Sequence, residues 1–286
     1  MAQTNKNFFL KRRSVLGALS LAPAVGLLAD LRSAQAASLA EIRRRGYMNV
    51  ASEDDYQPFE FVQDGVPTGY DIELFNYIAK SFNFKIHHDM IPWTGILSGV
   101  STGKYDAAIT AVVITQARLK VLDFTSPVAE SVDYYVKRQD DNRIKTIADL
   151  NGLTLGVEAG SAMLGLLPQL EETLKATGGK LGKIVQYQDY PSAYQDLATG
   201  RLDYVVNTYL SLRDLVKDRP QIFALGQAVS KPTYISWALQ KGDGALLALL
   251  NEGIAEAKKN GVMAKLQQKW FGMVFTDLPV QPVANL

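Results

Sequence analysis

The sequence predicts an α/β fold, and three observations carry that prediction. Short apolar stretches alternate with amphipathic ones along most of the chain, the pattern of strands feeding helices. Ala107–Val113 is apolar apart from Thr110, as a strand buried on both faces must be. The alternation runs once to about residue 130, begins again near Val132, and after Tyr234 returns to the style of the first set. An order of this kind implies parallel sheets with helices on their faces.

Each element has its own local signal. Met48–Ala51 is a short apolar strand. Asp71 has the character of a helix N-cap, and Ile72, Phe75, Ile78 and Phe82 share one face of the helix it would start. Phe84–Met90 is a strand, Trp93–Val100 a helix and Ala107–Val113 the buried strand. Thr115 then opens a short helix that carries Arg118 and leads into Asp123-Phe124-Thr125-Ser126-Pro127. In the second set the strands are Val132–Lys137, Leu153–Val157, Ile184–Tyr187 and Leu202–Asn207. Its helices run from about Ser161 to Ala176, from Ala193 to Ala198 and from Leu210 to Lys217. Tyr234–Gln240 is a strand and Leu246–Lys259 an amphipathic helix, which Gly261 breaks before a last helical turn to Phe271. Beyond Gly272, Pro279 and Pro282 predict a loose tail, residues 276–286.

Composition sets the class and the address. The 286 residues are 47% apolar, ordinary for a globular chain, with no internal run of the roughly 20 apolar residues that a membrane span requires. Lys11-Arg12-Arg13, an apolar core from Val15 to Ala29, and Ala34-Gln35-Ala36 make residues 1–36 a secretory signal peptide cleaved after Ala36. The paired arginines before Ser14-Val15-Leu16 favour twin-arginine export over the general route, and Pro23 argues against an uncleaved anchor. Removal of that segment leaves 25 cations and 28 anions, a formal charge of −3, so no basic face speaks for nucleic acid. The absence of cysteine says nothing about compartment, because a core of this size needs no disulfide.

The stretch from Asp106 to Pro127 places a fixed cation and a helix N-terminus beside a strand end, a way to hold a small carboxylate. It also resembles the signature of the family 3 extracytoplasmic solute-binding proteins, receptors of bacterial ABC importers. Six further landmarks resemble that family in the same order: Tyr56-Gln57-Pro58-Phe59, Gly69-Tyr70-Asp71-Ile72-Glu73-Leu74, Trp93-Thr94-Gly95-Ile96-Leu97, Gly103-Lys104-Tyr105-Asp106, Gly200-Arg201-Leu202-Asp203, and Gly261 to Trp270-Phe271-Gly272. The resemblance covers roughly Ile42 to Gly272. It implies a two-lobed periplasmic binding protein fold of type II, with two hinge crossovers and a ligand cleft between the lobes. Lobe 1 would comprise residues 37–129 plus 233–275 and lobe 2 residues 130–232. Closure around a solute would present both lobes to a membrane permease, with the protein a monomer in the periplasm.

The same resemblance supplies the expected pocket. Arg118 would take the ligand carboxylate bidentately, which its planar fork suits. Tyr56 and Trp93 would sandwich the ligand, with Phe59 beneath. Glu53 and Glu158 would meet its variable end and favour a cation or a hydrogen-bond donor. Ser161 and Ala162, after Gly160, would turn backbone N–H groups toward the carboxylate. Thr110, Val113 and Thr208 complete the candidates. Two of these depart from the family pattern: Val113 stands where a hydroxyl residue is usual, and Thr208 where an aspartate holds the ligand α-amino group. Asp214 is too far along its helix to substitute. The departures put an ordinary L-amino acid in doubt: the solute would lack an α-amino group, or its amine would reach Glu53 or Glu158. That favours a modified amino acid, an opine-like compound or another nitrogenous carboxylate, with a canonical polar amino acid the runner-up.

Several catalytic or metal motifs fail on context. Gly99-Val100-Ser101-Thr102-Gly103 has a helix before it and a strand after it, the reverse of a hydrolase elbow. His87 and His88 are the only histidines and adjoin on one strand, so neither a triad nor a metal site is expected, and no cofactor. Gly178-Gly179-Lys180 is a turn. Two alternatives to transport stay open. One is an enzyme like the cyclohexadienyl dehydratases, which are similar to this family and would need a proton donor such as Glu53 or Glu158. The other is a sensor module, against which no membrane-spanning or signalling segment follows residue 272.

Overall fold

A computed structural model describes residues 39–284. The expected signal peptide lies outside the described residues, and among these no helix is long and apolar enough to cross a membrane. The first run of elements is α1 (Leu39–Arg45), β1 (Tyr47–Glu53), β2 (Asp55–Tyr56), β3 (Glu60–Gln63), β4 (Val66–Thr68), α2 (Tyr70–Ala79), β5 (Lys85–Ile91), α3 (Ile96–Ser101), β6 (Ala107–Val113), α4 (Gln116–Leu119), β7 (Leu122–Phe124) and β8 (Ala129–Ser131). The second is β9 (Asp133–Arg138), β10 (Leu155–Glu158), α5 (Ala162–Lys175), β11 (Ile184–Tyr187), α6 (Tyr190–Ala198), β12 (Tyr204–Thr208), α7 (Tyr209–Asp218) and β13 (Phe223–Ala228). The chain then returns through β14 (Thr233–Gln240), α8 (Gly244–Lys259) and α9 (Val262–Phe271).

Two main sheets result. The first has the order β5-β1-β6-β14-β7, with β8 also on β14; the second has the order β11-β10-β12-β9-β13. Neither is wholly parallel, which corrects the expectation from alternation alone. β1 runs parallel to β5 and β6, whereas β14 is antiparallel to β6, β7 and β8. β9 likewise runs against β12 and β13. The cause is the route of the chain. β14 and β9 each enter from the other sheet, so no right-handed helical crossover fixes their direction. The two passages between sheets, at Val132 and at residues 229–232, lie side by side, since Thr233 pairs with Ser131.

Local chemistry explains the elements. All seven side chains of β6 are buried, as its composition demands. α2 buries Tyr70, Ile72, Leu74, Phe75 and Ile78 against the first sheet. Asp71 is not its cap. Gly69 precedes the helix at φ +118, where a Cβ would stand 2.3 Å from the Phe59 carbonyl oxygen, so only glycine fits. Asp71 instead lies inside the first turn and accepts a hydrogen bond from Trp237 Nε1 at 2.6 Å. Phe82 falls beyond the helix end at Ala79. Thr115 caps α4 as expected, Ser161 caps α5, Asp189 caps α6 and Asp243 caps α8. The segment after Gly272 packs instead of trailing: Leu278 is buried, Lys258 donates to its carbonyl, and Ser126 Oγ donates to the Val280 carbonyl at 2.7 Å.

Candidate functional site

The C-terminal ends of β1 and β10 face each other, one from each sheet, with α4 and the start of α5 beside them. This is where a fold of this kind opens a crevice, because helices close the faces and the loops after the strands remain accessible. A cavity with a free space of about 260 Å³, counting its mouth, is lined by Glu53, Tyr56, Trp93, Val113, Arg118, Glu158, Ser161 and Ala162. Eight of the ten expected residues therefore meet in one place. Ala111, Met163 and Tyr190 also line it. Ala111 was legible from the alternation of β6, two places before Val113; nothing in the sequence marked Met163 or Tyr190.

The other two expected residues sit elsewhere. Thr110 has the opposite parity on β6, so its hydroxyl turns away from the cavity and donates to Glu60 Oε1. Thr208 lies one layer behind the wall, where its Oγ1 accepts from the Tyr56 hydroxyl at 3.3 Å. The Ser161 N–H is also spoken for, since it bonds the Glu158 carbonyl at 3.3 Å in the turn before α5.

Contacts across the crevice hold it closed. Arg118 donates through Nη1 to the Val113 carbonyl at 2.8 Å and through Nη2 to the Gly160 carbonyl at 3.1 Å, with its guanidinium 5.2 Å from the Trp93 ring centre. Tyr56 donates to Asn207 Oδ1 at 2.9 Å, and its ring stacks on Phe59 at 5.5 Å and on Tyr190 at 6.0 Å. Arg213 Nη2 reaches the Trp270 carbonyl at 3.3 Å.

The electrostatics are those of a cation flanked by acids that resist ionisation. Burial lowers Arg118 to about 10, with Glu158 pulling the other way, so it stays charged at neutral pH. Burial pushes Glu158 up to about 8. Burial, reinforced by the neighbouring charges of Glu158, Glu60 and Asp55, raises Glu53 well above the carboxylate range. The two carboxyls face each other across the crevice, where burial and the charge of Glu158 on Glu53 favour a retained proton. Oε1 of each has no hydrogen-bond partner. A guanidinium or ammonium placed there would displace that proton and satisfy both oxygens.

A larger hollow of about 610 Å³ lies on the far side of Tyr56 and Tyr190, lined in part by Asp55, Asn207, Asp214 and Arg219. Its arginine, Arg219, stacks on the Phe223 ring at 4.9 Å, and Asp214 is already paired with Arg213 at 2.7 Å. Among the described residues no group of His, Cys, Asp and Glu could hold a metal ion. Ser101 is exposed at the end of α3 and donates to the Ser98 carbonyl, while His88 Nε2 bonds the fully buried Ser52 Oγ at 2.7 Å, so among the described residues Ser101 has no histidine partner.

Comparison with known proteins points to one family. The family described as bacterial extracellular solute-binding proteins, family 3, matches residues 48–273. The chain is 33% identical over 267 residues to the L-cystine-binding protein TcyJ of Escherichia coli K12, covering 92% of this chain and 96% of the relative. Among solved structures, holo ArgBP from T. maritima superposes with a TM-score of 0.69 at 30% identity, over 82% of this chain and all of the other. The ancestral amino acid-binding protein AncCDT-1, described as a precursor of cyclohexadienyl dehydratase, gives a TM-score of 0.71 at 28% identity, over 81% of this chain and 98% of its own.

Proposed function

The chain belongs to the bacterial extracellular solute-binding proteins of family 3 and serves as the substrate-binding component of an ABC importer, and we propose that its cargo is a small carboxylate with a cationic nitrogen group at its far end. One observation carries this reading: a single cavity joins Arg118 to the facing carboxyls of Glu53 and Glu158. Arg118 binds the solute carboxylate through its planar fork. Tyr56 and Trp93 flank the body of the solute. The glutamates receive the cation, which replaces the proton they otherwise retain. The relatives named for L-cystine and for arginine bind solutes of this chemistry, and L-arginine and L-cystine are the first probes for this chain. The protein acts as a monomer in the periplasm, after removal of residues 1–36 by the twin-arginine route, and delivers its solute to a membrane permease when closed.

Titration calorimetry with L-arginine tests the pocket. Arg118→Ala should weaken binding by about a hundredfold or more, because a bidentate charged pair is lost while the carboxylate remains to be desolvated. Unchanged affinity would remove Arg118 from the site.

A protonated carboxyl pair beside Arg118 also favours a second reading, acid-assisted dehydration of the kind AncCDT-1's descendant performs. Incubation with prephenate or arogenate distinguishes the two. We expect no turnover; product formation that Glu158→Gln abolishes would make the chain an enzyme.

A further inference from the structure

We propose that Asp133 is the anchor for the ammonium group next to the solute carboxylate, in the place left open by Thr208. The inference rests on the binding reading above and extends it to a residue outside the cavity wall. Asp133 opens β9, immediately after the crossover at Val132, and is 2% exposed. Its Oδ1 has no hydrogen-bond partner, and no Lys, Arg or His side chain among the described residues forms an ion pair with it. A carboxyl so placed needs a compensating cation or a retained proton.

Register supplies the direction. Asp133 is paired with Thr208 across the antiparallel strands β9 and β12. Residues directly opposite share a face of the sheet, with Cβ atoms about 4.5–5.5 Å apart. The face they share lies against Tyr56, whose hydroxyl donates to Thr208 Oγ1 and whose ring lines both the crevice and the larger hollow beside it. Tyr190 lines it too, and its buried hydroxyl also has no partner. The charge of Asp133 acts on both tyrosine hydroxyls. An ammonium is compact and carries three donors. Asp133 Oδ1 and the Tyr190 hydroxyl are two oxygens without a hydrogen-bond partner, and Thr208 Oγ1 is bonded to Tyr56. Burial raises Asp133 to about 7 against an opposing hydrogen bond from the Ser230 side chain, so near neutral pH an incoming ammonium exchanges with a proton that is already weakly held. The carboxylate absent from position 208 is thus supplied from the neighbouring strand, and the α-amino group of an ordinary amino acid has an acceptor after all.

The test compares each amino acid with its own deaminated form: L-arginine with desamino-arginine, and L-cystine with the dithiodipropionate that lacks both amines. In the wild type the amino acid should bind more tightly. Asp133→Asn should weaken the amino acids by about 10–100-fold, the range for a charged hydrogen bond, and leave the deaminated partners unchanged. Asp133→Asn combined with Thr208→Asp should recover much of the loss, by returning a carboxylate to the opposite strand. Equal effects on both members of each pair, no effect on either, or a wild-type preference for the deaminated forms would each overturn the role of Asp133. Retention of all binding by Arg118→Ala would instead count against the carboxylate site on which the inference rests. Should Asp133→Asn not fold, the wild type still decides: near neutral pH, calorimetry in two buffers should detect greater proton release with L-arginine than with desamino-arginine, which keeps the same far-end cation, and equal release overturns the proposal.

Discussion

Two pairs of buried carboxyls in this molecule have the same chemistry and different fates. Glu60 and Asp71 meet beneath the first sheet; Glu53 and Glu158 meet in the crevice. Burial raises all four, so each pair favours a retained proton. The difference is in the neutral donors around them. Asp71 receives the Trp237 indole N–H at 2.6 Å, while Glu60 receives the Thr110 hydroxyl and the Ala111 N–H at 3.2 Å. Those donors come from β14 and β6, so the first pair ties α2 and β3 to the sheet. The crevice pair has one member on each sheet; one oxygen of each acid is unpartnered in both pairs, so the contrast lies in the fixed donors that Glu60 Oε1 and Asp71 Oδ1 receive and the crevice pair does not. Burial alone therefore does not mark a binding carboxyl. What marks it is burial without fixed donors, at a place that opens when the two lobes part.

Substitutions should separate the two pairs. Glu158→Gln removes half of the crevice pair and should weaken L-arginine by about 10–100-fold, or ~1.4–2.7 kcal/mol, with the thermal midpoint unchanged or higher. A lower midpoint with full affinity would make this pair architectural like the other. Trp237→Phe strips the donor from Asp71 and should cost about 1–3 kcal/mol of stability in denaturant unfolding, with ligand affinity intact. Loss of affinity without loss of stability would show that the two pairs are not independent.

The pH dependence belongs to the crevice pair. The closed form raises Glu158 from its ordinary 4.5 to about 8 and so binds its proton more tightly than the unfolded chain does. That contribution is fully present below about 4.5 and is lost as pH rises through about 8. Glu53 is raised in the same direction, and Asp55, Asp189 and Glu60 face the pair with like charge while Arg118 opposes them. A cationic solute needs the ionised pair, so its affinity should climb over the same window as the closed ligand-free form weakens. Arg118 keeps its charge throughout, since it titrates near 10. Calorimetry at steps between these limits checks the trend, and Glu158→Gln should flatten it. A wild-type affinity independent of pH would place the cation elsewhere.

The sequence made the fold and most of the crevice legible, for identifiable reasons. Strand β6 is apolar on both faces and could be nothing else, and Thr115 before a short helix read directly as a cap. Strand direction was not legible for β9 and β14, because periodicity carries no information about the partner. β13, Phe223–Ala228, went unseen because Gly226 interrupts its pattern; a Cβ there would meet the Tyr135 ring at 2.0 Å, so the gap in the pattern is itself a packing requirement. In the crevice, Arg118, Tyr56 and Trp93 stood on motif landmarks, and the two glutamates followed from the resemblance those landmarks carry. Thr110 was misplaced by one residue of strand parity. Asp133 was invisible because its meaning comes only from its cross-strand partner, 75 residues away in sequence at Thr208.

The smallest expected effect lies where scaffold and crevice meet. Thr115 caps α4 by accepting the backbone N–H of Arg118 at 3.1 Å. α4 has only four residues and buries none of them, so it contributes little to global stability. Thr115→Ala removes a capping interaction of about 1 kcal/mol, which in a longer helix would lower the unfolding midpoint. Here the loss should fall on the position of the guanidinium. Its remaining ties, to the Val113 and Gly160 carbonyls, hold the far end of the side chain and leave the backbone turn free to fray. Affinity for L-arginine should therefore drop by about fivefold while the denaturation midpoint stays put. Thr115→Ser, which keeps the hydroxyl, should restore it; a variant that loses stability and keeps its affinity would make Thr115 part of the frame and not of the site.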